Sequence, residues 1–405
     1  MAIRNVHPFP ARMAPEIAIK HLEGLCASGW DKRAERTASD FTVVDPMCGS
    51  GTVLSHAAAL GYRAIGVDCD PLAVLMSSVA TSAINAEALP QLARRAVQEA
   101  RGMQDEPILW DDSETVKFSE YWFGDKQRNQ LARLSHAIGR MTSEPVRNAM
   151  RIALSRTIDT KTPKASLAAD TSHSRPHRVL KHAENIYDVY DGFTKSADQL
   201  SNLLSCRVSL GDVEVKLGDA RHLPIEDDTA DVVITSPPYL NAIDYMRGHR
   251  LSLIWMGYTI PQLRQIRSDA IGSERALVGD AESSANDLVQ AIEQDEEHVP
   301  MPDKLPKRTL IRYANDLISL SSEIKRVAKP GAKCVTVIGN SAIRGNFIRN
   351  DTMMRMALEH AGACIEEQSR RVIPDSSRYL PITSQNDNSP LAKRMREEIV
   401  LVSRF

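Results

Sequence analysis

The chain has 405 residues, enough for one large domain with insertions or for two domains, and for a sizeable core either way. It is 42% hydrophobic and 25% charged with a formal net charge of −2, the composition of a soluble globular protein, so any nucleic-acid-binding surface must be local. Six dispersed cysteines without a Cys-x-x-Cys pair argue against a zinc site or a disulfide framework and for a reducing cytoplasm, and no stretch has the length and apolarity of a membrane span or the shape of a signal peptide.

Taken in order, the chain opens on His7-Pro8-Phe9-Pro10-Ala11-Arg12, whose prolines enforce an extended entry, and Pro15 suits the first turn of a helix through Ile17, Ile19 and Leu22. A short β run then ends at Asp45 and passes through Pro46-Met47-Cys48-Gly49-Ser50-Gly51-Thr52 into a helix. Gly49 and Gly51 allow a tight turn and a close approach to a ligand, and the helix offers free amides at its start. The next strand ends Gly66-Val67-Asp68-Cys69-Asp70-Pro71. An acid at the tip of a second strand is suited to both hydroxyls of a ribose, and Asp68 is the first choice for this with Asp70 second, although Asp70 also suits a helix cap before Pro71. Cys48 and Cys69 read as small loop residues, and without a Pro-Cys dipeptide the covalent route of C5-cytosine methylation has no evident nucleophile.

From residue 86 to 205 the strand–helix alternation stops and apolar positions such as Leu92, Val97, Leu131, Leu134 and Ile138 recur at helical spacing. In the aromatic cluster Tyr121-Trp122-Phe123, Trp122 and Phe123 read as helix packing rather than base stacking. Between Arg147 and Lys181 cations outnumber acids and hydroxyls are frequent. Arg147, Arg151, Arg156, Lys161, Arg175 and Arg178 are therefore candidates for contacts to phosphates, against the plainer reading of a solvated face. His173 and His177 lack companion ligands, and no metal is expected.

Strands resume at Val213–Leu217, followed by Gly218-Asp219-Ala220, and then at Asp231-Val232-Val233-Ile234-Thr235, which stops at Ser236-Pro237-Pro238-Tyr239. Two prolines end the ladder and fix the backbone, so that carbonyls near Ser236 and Pro237 serve as rigid acceptors beside the flat ring of Tyr239. Such a set suits a planar base carrying an exocyclic amino group. Residues 259–310 read as a second, acidic interruption, a flexible or helical surface flap. A helix from Tyr313 to Val327, a Pro330-Gly331 turn, a strand through Cys334–Gly339, a further helix and two closing strand-like runs complete the chain.

Five of these segments resemble S-adenosylmethionine-dependent DNA amino-methyltransferases, which modify cytosine N4 or adenine N6: the His-Pro-Phe-Pro-Ala-Arg arm, Asp45-Pro46-Met47-Cys48-Gly49-Ser50-Gly51-Thr52, the Asp68 strand tip, Gly218-Asp219-Ala220 and Ser236-Pro237-Pro238-Tyr239. The resemblance covers roughly 1–85 and 206–245, and more weakly 311–405. It implies an α/β, Rossmann-like class I methyltransferase sheet with a largely helical insertion. The expected division is a cofactor-binding part of the core (1–85), a helical insertion for DNA recognition (86–205), a catalytic part (206–258), a surface insertion (259–310) and a C-terminal part of the core (311–405). That insertion precedes Gly218-Asp219-Ala220, whereas a recognition region in the family is expected just before the catalytic motif.

The resemblance further implies His7, Pro8 and Phe9 beside the methionine end of S-adenosylmethionine, and Cys48, Gly49 and Gly51 around it. Asp45 would orient the loop or accept from the methionine amine, and Asp219-Ala220 would meet the adenine. Ser236, Pro237, Pro238 and Tyr239 are the expected catalytic residues, acting on a base flipped from double-stranded DNA, with serine at the first position favouring cytosine N4. A cytoplasmic enzyme of a prokaryotic cell, with restriction or defence partners encoded separately, is the expected setting. A tRNA guanine-N2 methyltransferase shares the Pro-Pro-Tyr core but usually carries an N-terminal RNA-binding domain, for which the about 40 residues before the first strand leave little room. A non-catalytic nucleic-acid-binding subunit is the other alternative.

Overall fold

A computed structural model of the chain describes residues 5–9, 12–23, 25, 37–158, 164–169, 177–178, 185–207, 210–240, 244–272, 282–293, 307–343, 346–373 and 397–405. After helix α1 (Pro15–Leu22), β1 (Thr42–Asp45) leads into α2 (Thr52–Ala59), and β2 (Arg63–Asp68) into α3 (Pro71–Thr81). Pro71 occupies the first turn of α3, and the Asp70 carboxylate accepts from the Leu72 N–H at 2.9 Å, so that the strand tip doubles as the helix cap. Helices α4 (Leu89–Gly102), α5 (Ser113–Trp122), α6 (Asp125–Gly139), α7 (Glu144–Ser155) and α8 (Val189–Ser205) follow, with the two-residue strands β3 (Ala168–Ala169) and β4 (His177–Arg178) between the last two.

The sheet resumes with β5 (Val213–Leu217) and β6 (Ala230–Thr235). Helices α9 (Tyr245–Leu253), α10 (Ile260–Asp269), α11 (Glu282–Glu293) and α12 (Lys307–Val327) then precede β7 (Ala328–Gly339). The short hairpin β8 (Ser341–Ile343) and β9 (Asn346–Ile348), helix α13 (Asn350–His360), β10 (Cys364–Val372) and β11 (Glu397–Arg404) close the chain.

Among the described residues seven strands form one sheet in the order β10-β11-β7-β6-β1-β2-β5, with β11 antiparallel to both neighbours and the others parallel. This is the Rossmann-like sheet of class I methyltransferases. Its central strands β6, β1 and β2 are buried on both faces, as a parallel sheet covered by helices requires. Val43, Val232, Ile234, Val335 and Val337 face α1 and α2, whereas Val44, Val233, Cys334 and Ile338 face α12 and α13. The strand order reverses between β1 and β6, which opens the crevice at their carboxyl ends where ligands of such sheets lie.

A third core surrounds the outer side of α3. It joins Leu72 and Met76 to the apolar stripes of α4 and α6–α8, and extends to Met246, Leu251, Trp255 and Leu263 on and beyond α9. The helices of the insertion thus share one interior with the segment that follows the Ser236–Tyr239 turn. Trp122 and Phe123 are buried there, Phe123 edge-on to Trp255 at 5.1 Å. Three local details differ from the sequence expectation. Helix α12 starts at Lys307, because Leu310 extends the buried stripe of Tyr313, Leu317, Leu320 and Ile324 by one turn. Strand β7 runs through Pro330-Gly331 because the β6–β7 register shifts there, so the missing proline N–H costs no ladder bond. Helix α11, from the segment expected as a surface flap, buries Ala285, Leu288 and Val289 in the same core as α12.

Candidate active site

Four adjacent strands deliver polar residues to one edge of the sheet. In the order β5, β2, β1, β6 their carboxyl ends carry Asp219, Asp68, Asp45 and Ser236, and the registers pair Asp68 with Leu217 and Asp45 with Gly66. The turn after β1 folds back over this edge. Gly49 donates its N–H to Asp68 Oδ2 at 2.9 Å, its carbonyl accepts from Ser77 Oγ at 2.7 Å, and Cys48 donates to the Val67 carbonyl at 2.9 Å. Gly51, the residue before α2, has φ +78°, and a Cβ there would lie 3.0 Å from Ser77 Oγ. Only glycine fits this close passage without strain.

Among the described residues neither of the two central acids, Asp68 and Asp45, is in an ion pair. Asp68 accepts from the Asp70 N–H at 2.9 Å as well as from Gly49, yet burial and the neighbouring charge of Asp70 push its carboxyl up to about 6. Asp45 is fully enclosed; burial pushes it up to about 7, with the Asp68 charge adding to the effect and the Met47 N–H and Thr235 hydroxyl opposing it. Asp70 behaves differently. Burial would raise it, but His249, whose Nδ1 lies 2.5 Å from its Oδ2, together with the amides of Leu72 and Ala73, leaves it below the ordinary value. Asp70 is therefore committed to capping α3 and holding α9, while Asp68 and Asp45 accept from local amides and, for Asp45, the Thr235 hydroxyl.

Asp219 is held by a neighbour. Arg221 donates through Nε to Asp219 Oδ1 at 3.0 Å and through a terminal nitrogen to Oδ2 at 2.6 Å, and its other terminal nitrogen reaches Asp316 Oδ1 at 2.6 Å. Burial would raise Asp219, but these bonds and the Arg221 charge keep it below the ordinary carboxylate range. Asp316 lies on α12, where its other oxygen accepts from the Gly272 N–H at 3.1 Å.

One turn earlier on α12, the fully buried Tyr313 donates its hydroxyl to the carbonyl of Pro238 at 3.0 Å. Ser236, Pro238 and Tyr239 remain partly exposed while Pro237 and Leu240 are buried, so the turn is anchored at both ends and presents its serine and ring.

The N-terminal arm lies across the glycine turn. A Cβ on Gly49 would meet the Phe9 ring at 3.2 Å, and Phe9 stacks on Tyr245 of α9 with centroids 4.7 Å apart and planes 10° from parallel. Buried His7 pairs through Nε2 with Ser155 Oγ at 2.8 Å, and Ser155 donates to Ser252 Oγ at 2.9 Å, which ties the arm to α7 and α9 together. Pro8 supplies the carbonyl that faces His7 Nδ1 at 2.8 Å. Ala220 is buried in the sheet core beside Asp219.

The cations expected to meet DNA divide. Arg156 turns inward, donating to the Val6 carbonyl at 2.6 Å and to Gln199 Oε1 at 3.0 Å. Arg147 donates to the Met141 carbonyl at 2.8 Å, and Arg151 lies half-buried near Arg147 and Tyr258. Lys161 and Arg175 fall outside the described residues; Arg178 is described only as part of β4. The six candidates are not brought to one described surface.

With this geometry in hand, comparison with known proteins is informative in sequence. The chain is 21% identical over 380 residues to the type II methyltransferase M.MvaI of Kocuria varians, covering 86% of this chain and 79% of that protein. It is 22% identical over 376 residues to the type II methyltransferase M.BsoBI of Geobacillus stearothermophilus, covering 79% of this chain and 72% of that protein. The relatives are type II methyltransferases. No family model matches the chain. Among solved structures, a SAM-dependent methyltransferase from Methanosarcina mazei aligns with a TM-score of 0.32 at 9% identity, covering 91% of this chain and 93% of that one.

Sequence reasoning missed four residues that complete this edge: Arg221, Asp316, Tyr313 and Tyr245. A signal existed for two of them. Tyr313 and Asp316 interrupt the apolar stripe of α12 with a hydroxyl and a charge, and polar groups at a core-facing position need a partner.

Proposed function

We propose that the chain is an S-adenosylmethionine-dependent DNA methyltransferase acting on the exocyclic amino group of a base flipped from the duplex, cytosine N4 in preference to adenine N6. The observation that carries this reading is the convergence of Asp219, Asp68, Asp45 and Ser236-Pro237-Pro238-Tyr239 at the carboxyl ends of four neighbouring strands. The type II methyltransferase relatives support it independently.

The residues fit the cofactor. Burial first, and a neighbouring carboxylate second, raise the pKa values of Asp45 and Asp68, which suits a ligand bearing an ammonium and a sulfonium together with ribose hydroxyl donors. The turn at Gly49 and Gly51 leaves no room for a Cβ without displacing Phe9 or Ser77. Asp68 would hold the ribose, Asp219 the adenine amino group, and Asp45 with Phe9 the methionine end. When bound, S-adenosylmethionine supplies an electrophilic methyl group on a positively charged sulfur.

The chain's own part is to position the nucleophile. A base amino group is a poor nucleophile because its lone pair is delocalised into the ring. Accepting its two hydrogens at the Ser236 hydroxyl and the Pro237 carbonyl draws the nitrogen toward tetrahedral geometry. Tyr239 stacks on the base. Because Tyr313 engages the Pro238 carbonyl, the turn is held without using the Pro237 oxygen. The amino proton can leave after transfer, so no base poised near neutrality is needed. A paired base cannot enter such a site, and flipping is therefore part of the reading.

Transfer of label from S-adenosylmethionine to unmethylated genomic DNA, with nucleoside mass spectrometry of the product, tests this. N4-methylcytosine is expected. N6-methyladenine would retain the reaction and change the base. Label on tRNA alone would move the chain to the guanine-N2 class, and no label on either would leave a binding subunit.

A further inference from the structure

Beside the catalytic turn, α9 and α10 bring three arginines around one carboxylate. Asp244 Oδ2 accepts from Arg247 Nε at 2.8 Å and from Arg267 Nε at 2.6 Å, so a single oxygen serves two guanidinium groups. Arg250, one turn along α9, donates Nε to the Arg247 carbonyl at 3.2 Å and lays its guanidinium over the Phe118 ring at 5.0 Å. Burial, and then the charge of Arg267 among its neighbours, holds that guanidinium below its ordinary value, with only Asp244 acting in the opposite sense. Around Arg250 in this cluster, two further guanidinium groups, those of Arg267 and Arg247, stand against the carboxylate of Asp244.

Its place in the fold gives that charge a purpose. Asp244 is five residues past Tyr239, and Tyr245 stacks on Phe9 over the glycine turn. The end of α10 reaches the same edge: Arg221 donates to the Asp269 carbonyl, and a Cβ on Gly272 would lie 3.9 Å from the Tyr239 carbonyl. A guanidinium stacked on a ring keeps its in-plane N–H edge for a bidentate oxyanion.

We propose that Arg250 and Arg267, with Arg247, grip a backbone phosphate of the DNA strand that carries the target base, next to the point where that base leaves the helix. This rests on the DNA reading above and assigns to α9 and α10 a role expected for the insertion. Asp244 acts as a resident competitor, holding the arginines in place until a phosphate replaces it as their partner. Neutralising Asp244 should then strengthen DNA binding, a direction that loss of folding cannot imitate.

The experiment is fluorescence anisotropy of a labelled duplex oligonucleotide against the full chain across a salt series, with Arg250→Gln, Arg267→Gln and Asp244→Asn. Arg355→Gln, in an exposed ion pair with Glu359 on α13, is the control for general charge. Each arginine variant should weaken binding at fixed salt and lower the slope of log Kd against log salt by about 1, while the control leaves it unchanged. Asp244→Asn should tighten binding. S-adenosylmethionine affinity, measured by calorimetry, should be the same in all. If the wild-type chain binds the duplex and the cofactor but the arginine variants keep its slope and affinity, this assignment fails and the methyltransferase reading stands. If wild type binds neither, both fall; preferential binding of tRNA over duplex would also overturn it.

Discussion

Tyr313 and Pro238 are 75 residues apart and joined by one hydrogen bond of 3.0 Å, from the phenol to the carbonyl in the middle of the Ser236–Tyr239 turn. Asp316, on the next turn of the same helix, reaches Asp219 through Arg221. Helix α12 thus fixes two places that belong to opposite ends of the crevice, the acceptor turn at β6 and the acid after β5.

Removing the hydroxyl leaves the ring packed in the core and frees only the turn. Tyr313→Phe is expected to lower kcat by roughly tenfold or more, because small misplacement of a reacting group is costly. S-adenosylmethionine affinity should not change. Steady-state kinetics with calorimetry on the same preparation checks the split; equal loss in both would mean a general packing defect.

The raised acids predict a pH profile. Folded Asp68 and Asp45 hold protons up to about 6 and about 7, whereas in the unfolded chain they release them near 3.8. Their contribution to stability is therefore present at low pH and lost as pH rises through that window. Binding of a cationic cofactor needs the ionised acids, so its affinity should rise from pH 5.5 to about 7.5 and then level, with proton release on binding. Calorimetry in buffers of different ionisation heat would detect the release, and a flat profile would remove these two acids from the cofactor site.

Arg221→Ala strands Asp316, whose side chain is only 5% exposed. Breaking a buried pair on one side costs about 3–5 kcal/mol, visible as a large fall in the denaturation midpoint. Pairing the change with Asp316→Leu should recover much of that stability, while the hold on Asp219, and with it cofactor affinity, stays weakened.

Arg156 distinguishes two roles for the insertion's cations. Its bonds to Val6 and Gln199 make it a strut for the arm, so Arg156→Ala should weaken cofactor binding and leave the salt slope of DNA binding unchanged. A reduced slope with intact cofactor affinity would return Arg156 to the phosphate contacts.

Much of the fold was legible because its signals are local. Val43–Asp45, Val67–Asp68 and Val232–Thr235 are short apolar runs that end in polar residues, and Asp70-Pro71 marks a helix start on its own. The parts not legible depend on distant pairing. Nothing near Arg221 reveals that its partner is Asp316, and nothing near Arg156 reveals that it turns toward Val6 instead of solvent. A run of cations has the same sequence pattern whether its side chains serve as struts or as contacts.

The chain His7–Ser155–Ser252 links the arm, the insertion and the helix after the Ser236–Tyr239 turn through three adjacent polar groups in the interior. The insertion is therefore not a module that could be traded between relatives by cutting at its two ends. A transplant of α4–α8 would carry a foreign residue to the place of Ser155 and leave the imidazole of His7 facing whatever arrived. The smallest exchangeable unit comprises residues 5–9, α4–α8 and α9 together, so any graft of the insertion has to bring along part of the arm that lies across the glycine turn.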